Sequence, residues 1–353
     1  MRPVRIALVI LAVVMAWPAS AVFRAADLVI VPVAASTVGL QNSNWHSDIE
    51  IRNVDTVPID VEIIFLPTGG SDNSYWYTLM ANALGGRESD GFGHVNAALK
   101  DIPVGRTVVI EDIVKTTWGD GYKGALLIFA YDAGSFSTTT PPGGTPRKIV
   151  VTSTTYNLAT NAESKPVTYG QGIPGLPWYD YIDPHQQAKG LDKVTFTGIR
   201  EDDRYRTALG LVNVSDQLTS LEVEMVLTGA DGTELKDVGT VIQPLSHQQF
   251  DQVVRAVFGI ASDQTITNAT LTVRIKAWNS RAADPTPALI AYCSRVDNLT
   301  NDPVYLEQAF DAELPWDCVF NGNCTALTAL QSLAAPFRRR PLQPITRESK
   351  HMW

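Results

Sequence analysis

Shifting the 353-residue chain against itself by 160 positions superimposes two stretches. Trp45-His46-Ser47-Asp48-Ile49-Glu50-Ile51-Arg52-Asn53-Val54 lies over Tyr205-Arg206-Thr207-Ala208-Leu209-Gly210-Leu211-Val212-Asn213-Val214. Aromatic meets aromatic, Ser47 meets Thr207, and Asn-Val recurs unchanged. The same offset sets Val61-Glu62-Ile63-Ile64-Phe65 over Leu221-Glu222-Val223-Glu224-Met225. After a length change, residues 110–114 with Trp118-Gly119 match residues 250–254 with Phe258-Gly259, and residues 150–157 match 290–297. Four blocks in one order make a duplication, and a unit of domain size present twice implies two tandem domains rather than a solenoid.

The periodicity inside each repeat is that of strands. Residues 48–52 and 60–63 alternate polar with apolar around the turn-like stretch 53–58. Residues 208–212 and 221–227 do the same around 213–216. Further strands are expected at 107–110, 125–131 and 149–156, and at 238–242, 269–277 and 288–296. The expected fold class is therefore all-β, with two tandem antiparallel immunoglobulin-like β-sandwich domains. The Cys-Trp-Cys spacing of antibody domains is missing, so the likeness is one of architecture. One short helix per domain is expected, at 113–118 and 252–258, each ending on a glycine, Gly119 or Gly259. The expected domains span 22–165 and 194–308, with an insertion at about 69–99 in the first. A proline- and glycine-bearing connector fills 166–193, and an irregular tail follows from 309 to 353.

The chain opens with a basic Met1-Arg2-Pro3-Val4-Arg5, an apolar run over residues 6–17 and a small-residue end, Pro18-Ala19-Ser20-Ala21. Those three parts read as a secretory signal peptide over 1–21. The run is too short for the ~20 residues of a membrane helix, so an exported protein without a membrane span is expected. The formal net charge is -9. Losing Arg2 and Arg5 makes the mature chain more acidic still, which argues against nucleic acid as a partner. Arg338-Arg339-Arg340 between prolines reads as a solvated tail. Of the three cysteines, Cys318 and Cys324 flank the turn signal Phe320-Asn321-Gly322-Asn323 and are expected to pair, leaving Cys293 as a buried thiol.

Trp45-His46-Ser47-Asp48 sets hydrolase letters side by side, yet neighbours in a strand point to opposite faces and cannot all converge. No two of the five histidines stand at metal-ligand spacing, and no nucleophile elbow, phosphate loop or dinucleotide fingerprint occurs. Asp202-Asp203 reads as a turn and not as a glycosidase pair. The expectation is therefore no catalytic residues, no cofactor and no metal. Asp297, Asn298, Asn301 and Asp302 form a weak calcium candidate, set against a turn held by side-chain-to-backbone bonds. The stronger leads are aromatic: Tyr75, Trp76 and Tyr77 in the insertion, and Trp178, Tyr179 and Tyr181 in the connector. Such clusters grip sugars or partners on loops, or else they fill a domain junction.

Residues 45–53, 170–175 and 204–213 resemble a group of largely uncharacterised secreted bacterial proteins built from tandem β-sandwich domains. The resemblance covers roughly residues 28–305. It implies an exported bacterial protein and contributes no catalytic residues. The function expected is a non-catalytic binding or structural protein, periplasmic or extracellular, whose partner is a protein or glycan at the cell surface. The alternatives are a secreted hydrolase of glycans or peptides, and a periplasmic assembly factor that holds clients by strand edges. Alkylation mass mapping of the exported protein should find Cys318 bonded to Cys324 and Cys293 reduced; a disulfide containing Cys293 overturns the pairing.

Overall fold

The computed structural model describes residues 24–69, 99–134, 145–160, 163–215, 218–283 and 285–311. The signal segment, Tyr75, Trp76 and Tyr77, and the Cys318–Cys324 pair lie outside the described residues.

The chain is all-β and its strand pairing is antiparallel. In the first repeat the strands are β1 (Leu28–Val38), β2 (Asn44–Asn53), β3 (Ile59–Pro67), β4 (Thr107–Ile110), β5 (Tyr122–Asp132), β6 (Ile149–Thr160) and β7 (Pro166–Pro174). A two-residue strand, β8 (Leu176–Pro177), follows. The second repeat supplies β9 (Lys193–Glu201), β10 (Tyr205–Asn213), β11 (Thr219–Thr228), β12 (Glu234–Ile242), β13 (His247–Phe250), β14 (Ile266–Ser280), β15 (Leu289–Asp297) and β16 (Pro303–Leu306). A short β17 (Ala309–Phe310) closes the described chain. Two short helices occur where expected, α1 (Ile113–Thr117) and α2 (Val253–Ala256). Each stops beside a glycine of positive φ, Gly119 at 102° and Gly259 at 62°. Gly119 and Gly259 send their N–H groups back to the carbonyls of Lys115 and Arg255, which closes the last turn.

Strand order carries the duplication into three dimensions. β13-β10-β15-β16 in the second repeat reproduces β4-β2-β6-β7 in the first, and β11-β14-β9 reproduces β3-β5-β1. In the first repeat the two groups fuse into one sheet, because β1 pairs with β5 along most of its length and with β2 at Thr37 and Val38. Two buried asparagines mark matching turns. Asn53 donates to the carbonyls of Val57 and Ile102 and accepts from the Asp55 N–H. Asn213 donates to those of Thr219 and Gln243 and accepts from Ser215. Each amide thus satisfies backbone groups that would otherwise be buried without partners. Ser47 and Thr207 match too, each bonding the backbone of its repeat's first strand, at Ala35 and at Arg200.

Each repeat has its own apolar cluster, filled from both strand groups. Val31, Ile63, Phe65 and Ile128 meet Ile49, Ile51 and Val151 in the first; Phe196, Val223, Met225 and Leu271 meet Leu209, Leu211 and Ala291 in the second. A third cluster lies between the repeats. There the outer side of β1, β3 and β5 (Leu28, Ile30, Ile64, Leu66, Leu127, Phe129) packs on Val212, Val214, Ala288 and Ile290 of the second repeat.

The structure corrects two readings of the sequence. The alternation at 48–52 holds: Ile49 and Ile51 are buried while Glu50 and Arg52 are exposed. The alternation at 60–63 does not leave a wet face, because Asp60 and Glu62 are buried. Asp60 compensates by accepting from the Asp101 and Gly134 N–H groups, both at 2.8 Å. Among the described residues Glu62 has no such hydrogen bond, and burial pushes its carboxyl up to about 7. The second correction concerns the connector. Residues 166–174 are a strand, paired with β6 along its whole length. Only 175–192 bridges the repeats, through β8 on β1 and a 3-10 turn at Pro184–Lys189.

The third cluster also names a decisive residue. Leu127 faces Ile64 across β3–β5, and the matching positions in the second repeat are Arg274 and Glu224, an ion pair between a half-exposed guanidinium and a buried carboxylate. Leu127→Arg should therefore cost about 3 kcal/mol or more in urea denaturation, through lost burial and an unpaired buried charge. Arg274→Leu should cost less than this, because its guanidinium is half exposed and Lys276 stays 3.8 Å from the Glu224 carboxylate. Equal effects of the two would refute the interface.

Candidate functional site

Because β2 alternates, His46 and Asp48 share its outer face while Trp45, Ser47 and Ile49 point inward. Ser47 is spent on structure: its Oγ accepts from the Ala35 N–H at 2.9 Å and bonds Thr155 Oγ1 at 2.8 Å. The histidine and aspartate are joined instead by two residues from elsewhere. Asp112, immediately before α1, adopts left-handed backbone angles (φ 45°, ψ 54°). Its N–H donates to Asp48 Oδ1 at 2.8 Å, and its Oδ2 lies 2.9 Å from His46 Nδ1. Tyr156, opposite His46 on β6, stacks on the imidazole with centroids 5.8 Å apart. Its hydroxyl points to Asp48 Oδ1 at 3.4 Å. Burial, and then the charges of Asp48 and Asp112, push the Tyr156 phenol up to about 12, so it stays protonated and can donate.

These side chains line an open groove of about 690 Å³, whose other wall is Gly170, Gln171 and Gly172 of β7. Gly170 is required there, since a Cβ would come within 2.8 Å of Tyr156 Cβ. With a carboxylate as its partner, Nδ1 is the donor in this bond. Among the described residues, His46 Nε2 and Asp112 Oδ1 are buried without a hydrogen-bond partner. Among the described residues no serine or cysteine lines the groove, whose hydroxyls are those of Thr154, Thr168 and Tyr156. What the wall offers is recognition: two carboxylates, a phenol and the Lys115 ammonium. Among the described residues, no three His, Cys, Asp or Glu side chains are arranged to hold a metal ion.

The other sequence candidates fall elsewhere. Tyr181 is buried between the repeats, while Trp178 and Tyr179 lie half-buried beside it. Trp178 packs against two of the apolar clusters and donates from Nε1 to Asp27 at 2.9 Å. Tyr179 meets Trp178 edge to face, and Tyr181 is buried in the third cluster. At the calcium candidate, Asp297 accepts from the Leu299 and Thr300 N–H groups and from Arg204. Asn298 and Asn301 turn their oxygens to the Arg206 guanidinium, 2.8 Å away in each case. Asp302 follows in the same turn, its backbone N–H bonded to Thr300 Oγ1. The loop's oxygens thus face N–H donors. Cys293 is buried and free, and burial holds its thiol well above the ordinary range.

Sequence reasoning passed over Asp112 and Tyr156. A signal was available in the duplication itself. His46, Asp48, Asp112 and Tyr156 stand where the second repeat has Arg206, Ala208, Gln252 and Val296. Four positions that diverge together inside otherwise matching blocks meet at one place in the first repeat. No family model matches the chain, and no curated protein matches it either.

The His46–Asp112 pair should be energetically coupled. His46→Ala and Asp112→Ala should each cost about 1–3 kcal/mol, because each leaves the other's buried polar group unpaired. The double variant should cost less than their sum by about 1 kcal/mol. Additive losses in a urea double-mutant cycle would show that the pair does not act as a unit.

Proposed function

We propose that the protein is an exported, non-catalytic binding protein of the bacterial envelope or extracellular space. Its two repeats act as tandem immunoglobulin-like β-sandwich domains, and its ligand is a cell-surface glycan. The observation that carries the reading is an asymmetry between the repeats. The outer face of β10 and β15 is covered by the first repeat, whereas the equivalent face of β2 and β6 forms the polar groove. Carboxylates, an ammonium and a phenol beside a groove suit a hydroxyl-rich ligand, which needs several directional hydrogen bonds and little charge compensation. Among the described residues no helix is long and apolar enough to cross a membrane.

One observation favours a second reading, a secreted hydrolase: the His46–Asp112 pair resembles a base held by a carboxylate. The burial of Nε2, and the lack of a serine or cysteine among the described residues lining the groove, weigh against it.

Mature protein applied to an array of bacterial surface glycans should bind a defined subset. Asp48→Asn and Tyr156→Phe, which keep the side-chain volumes, should weaken that binding at least about tenfold, a loss of ~1.4 kcal/mol. Binding that survives both substitutions, or no binding to any glycan, would remove the groove from the function. Glycan cleavage by the wild type that His46→Gln abolishes would establish the hydrolase instead.

A further inference from the structure

The two repeats enclose a second space, on the far side of β2 from the groove. It is a cavity of about 70 Å³, walled by β1, β2 and β7 of the first repeat and by β10, β13 and β15 of the second. Arg206 projects into its wall and is only 3% exposed. A guanidinium so buried is ordinarily matched by a carboxylate, since an uncompensated charge in a low-dielectric interior is costly. Arg206 has no such partner among the described residues. Its two hydrogen bonds go to the neutral amide oxygens of Asn298 and Asn301, so three of its five N–H donors remain unengaged.

The nearby carboxylates are committed elsewhere. Asp251 takes the Lys123 ammonium at 3.1 Å on both of its oxygens and a further bond from Gln249. Asp297 is held by Arg204 and by two backbone N–H groups. Asp251 and Asp297 act on the Arg206 charge from a distance, but neither hydrogen-bonds its guanidinium. The rest of the lining is largely apolar: Val33, Ala35, Trp45, Ala208, Tyr292 and Val296. Gly39 lets the Trp45 indole lie close, because a Cβ there would come within 2.6 Å of its Nε1.

We propose that this cavity binds a short-chain carboxylate, with the anionic group paired to Arg206 and the alkyl group against Trp45 and the small aliphatic side chains. The size fits. A single water needs roughly 10–15 Å³ of such space, so about five to seven water-sized groups can be housed, which is the bulk of acetate to butyrate. An anion supplies the missing countercharge and can accept from the unengaged N–H donors in the bidentate geometry guanidinium favours. The site is separate from the glycan groove and does not depend on that reading.

The test uses calorimetric titration of the mature protein with sodium acetate, propionate, butyrate and hexanoate, ionic strength being held with sodium chloride. Saturable 1:1 binding is expected for the shorter chains, falling at least about tenfold for hexanoate, which exceeds the cavity. Ala208→Leu fills the cavity while retaining Arg206, and should abolish binding without lowering the melting temperature. Asp48→Asn, in the groove, should leave carboxylate binding unchanged. The assignment is overturned if no carboxylate saturates, if inorganic phosphate or sulfate binds as well as propionate, or if Ala208→Leu, shown to be folded, still binds. Arg206→Gln adds a check independent of cavity shape: if folded, it should lose binding, and a folded variant that binds normally would also overturn the assignment.

Discussion

The contact on which the rest of this structure depends is the packing of one sheet face of the first repeat against one of the second. Leu28, Ile30, Ile64, Leu66, Leu127 and Phe129 meet Val212, Val214, Ala288 and Ile290 there. Burial on this scale contributes ~25 cal/mol for each Å² of apolar surface removed from water, and it acts on strands that already line a repeat's own core. β3 is consequently buried along its entire length, and β10 at every position but its first. Polar groups on those strands must find internal partners or change protonation, as Asp60 and Glu62 illustrate. His247, also between the repeats, bonds Thr68 through Nδ1, and burial holds it down at about 3, so it stays neutral.

Fine adjustments follow from the same contact. Gly210 has no side chain because the Tyr292 ring occupies that space; a Cβ would sit 1.8 Å from Tyr292 Cε1. The Tyr292 hydroxyl then reaches Gln249 at 2.8 Å and its ring stacks on His247. Lys123 of β5 crosses to Asp251. A bidentate ion pair, the His247–Thr68 bond and an apolar layer together fix the register of one repeat on the other.

The contact is heterologous, joining different faces of two similar units, and such contacts propagate unless something stops them. Here the far face of the second repeat is closed to a further copy. Where the first repeat has Ile64 and Leu127, the second has Glu224 and Arg274, paired to each other, with Lys276 alongside. At the other end, the face of β2 and β6 carries the polar groove. Charge caps one end of the pair and a recognition surface occupies the other, as terminal units of stacked repeats require.

The duplication, the all-β class, the short helices with their glycine stops and the paired turn asparagines were legible in the sequence, because each is a local rule repeated twice. Asn53 and Asn213 are the clearest case: two identical letters perform the same backbone chemistry. The aromatic connector was legible only as a choice between a ligand surface and a junction; Tyr181 is buried at the junction, and Trp178 and Tyr179 are half-buried beside it. The groove was half legible. His46 and Asp48 stood out as letters, but Asp112 lies 64 residues from Asp48 and joins it only when β4 pairs with β2 and delivers the start of α1.

What the sequence alone determined is everything governed by period and propensity: strands of period two, turns, caps and the existence of two similar units. What tertiary structure decided is which faces those units hide. A strand's alternation states that one side is apolar, but not whether a second unit will bury the other. That depends on contacts between residues far apart in the chain, and it places Arg206, on a strand that would otherwise face water, in the wall of a cavity.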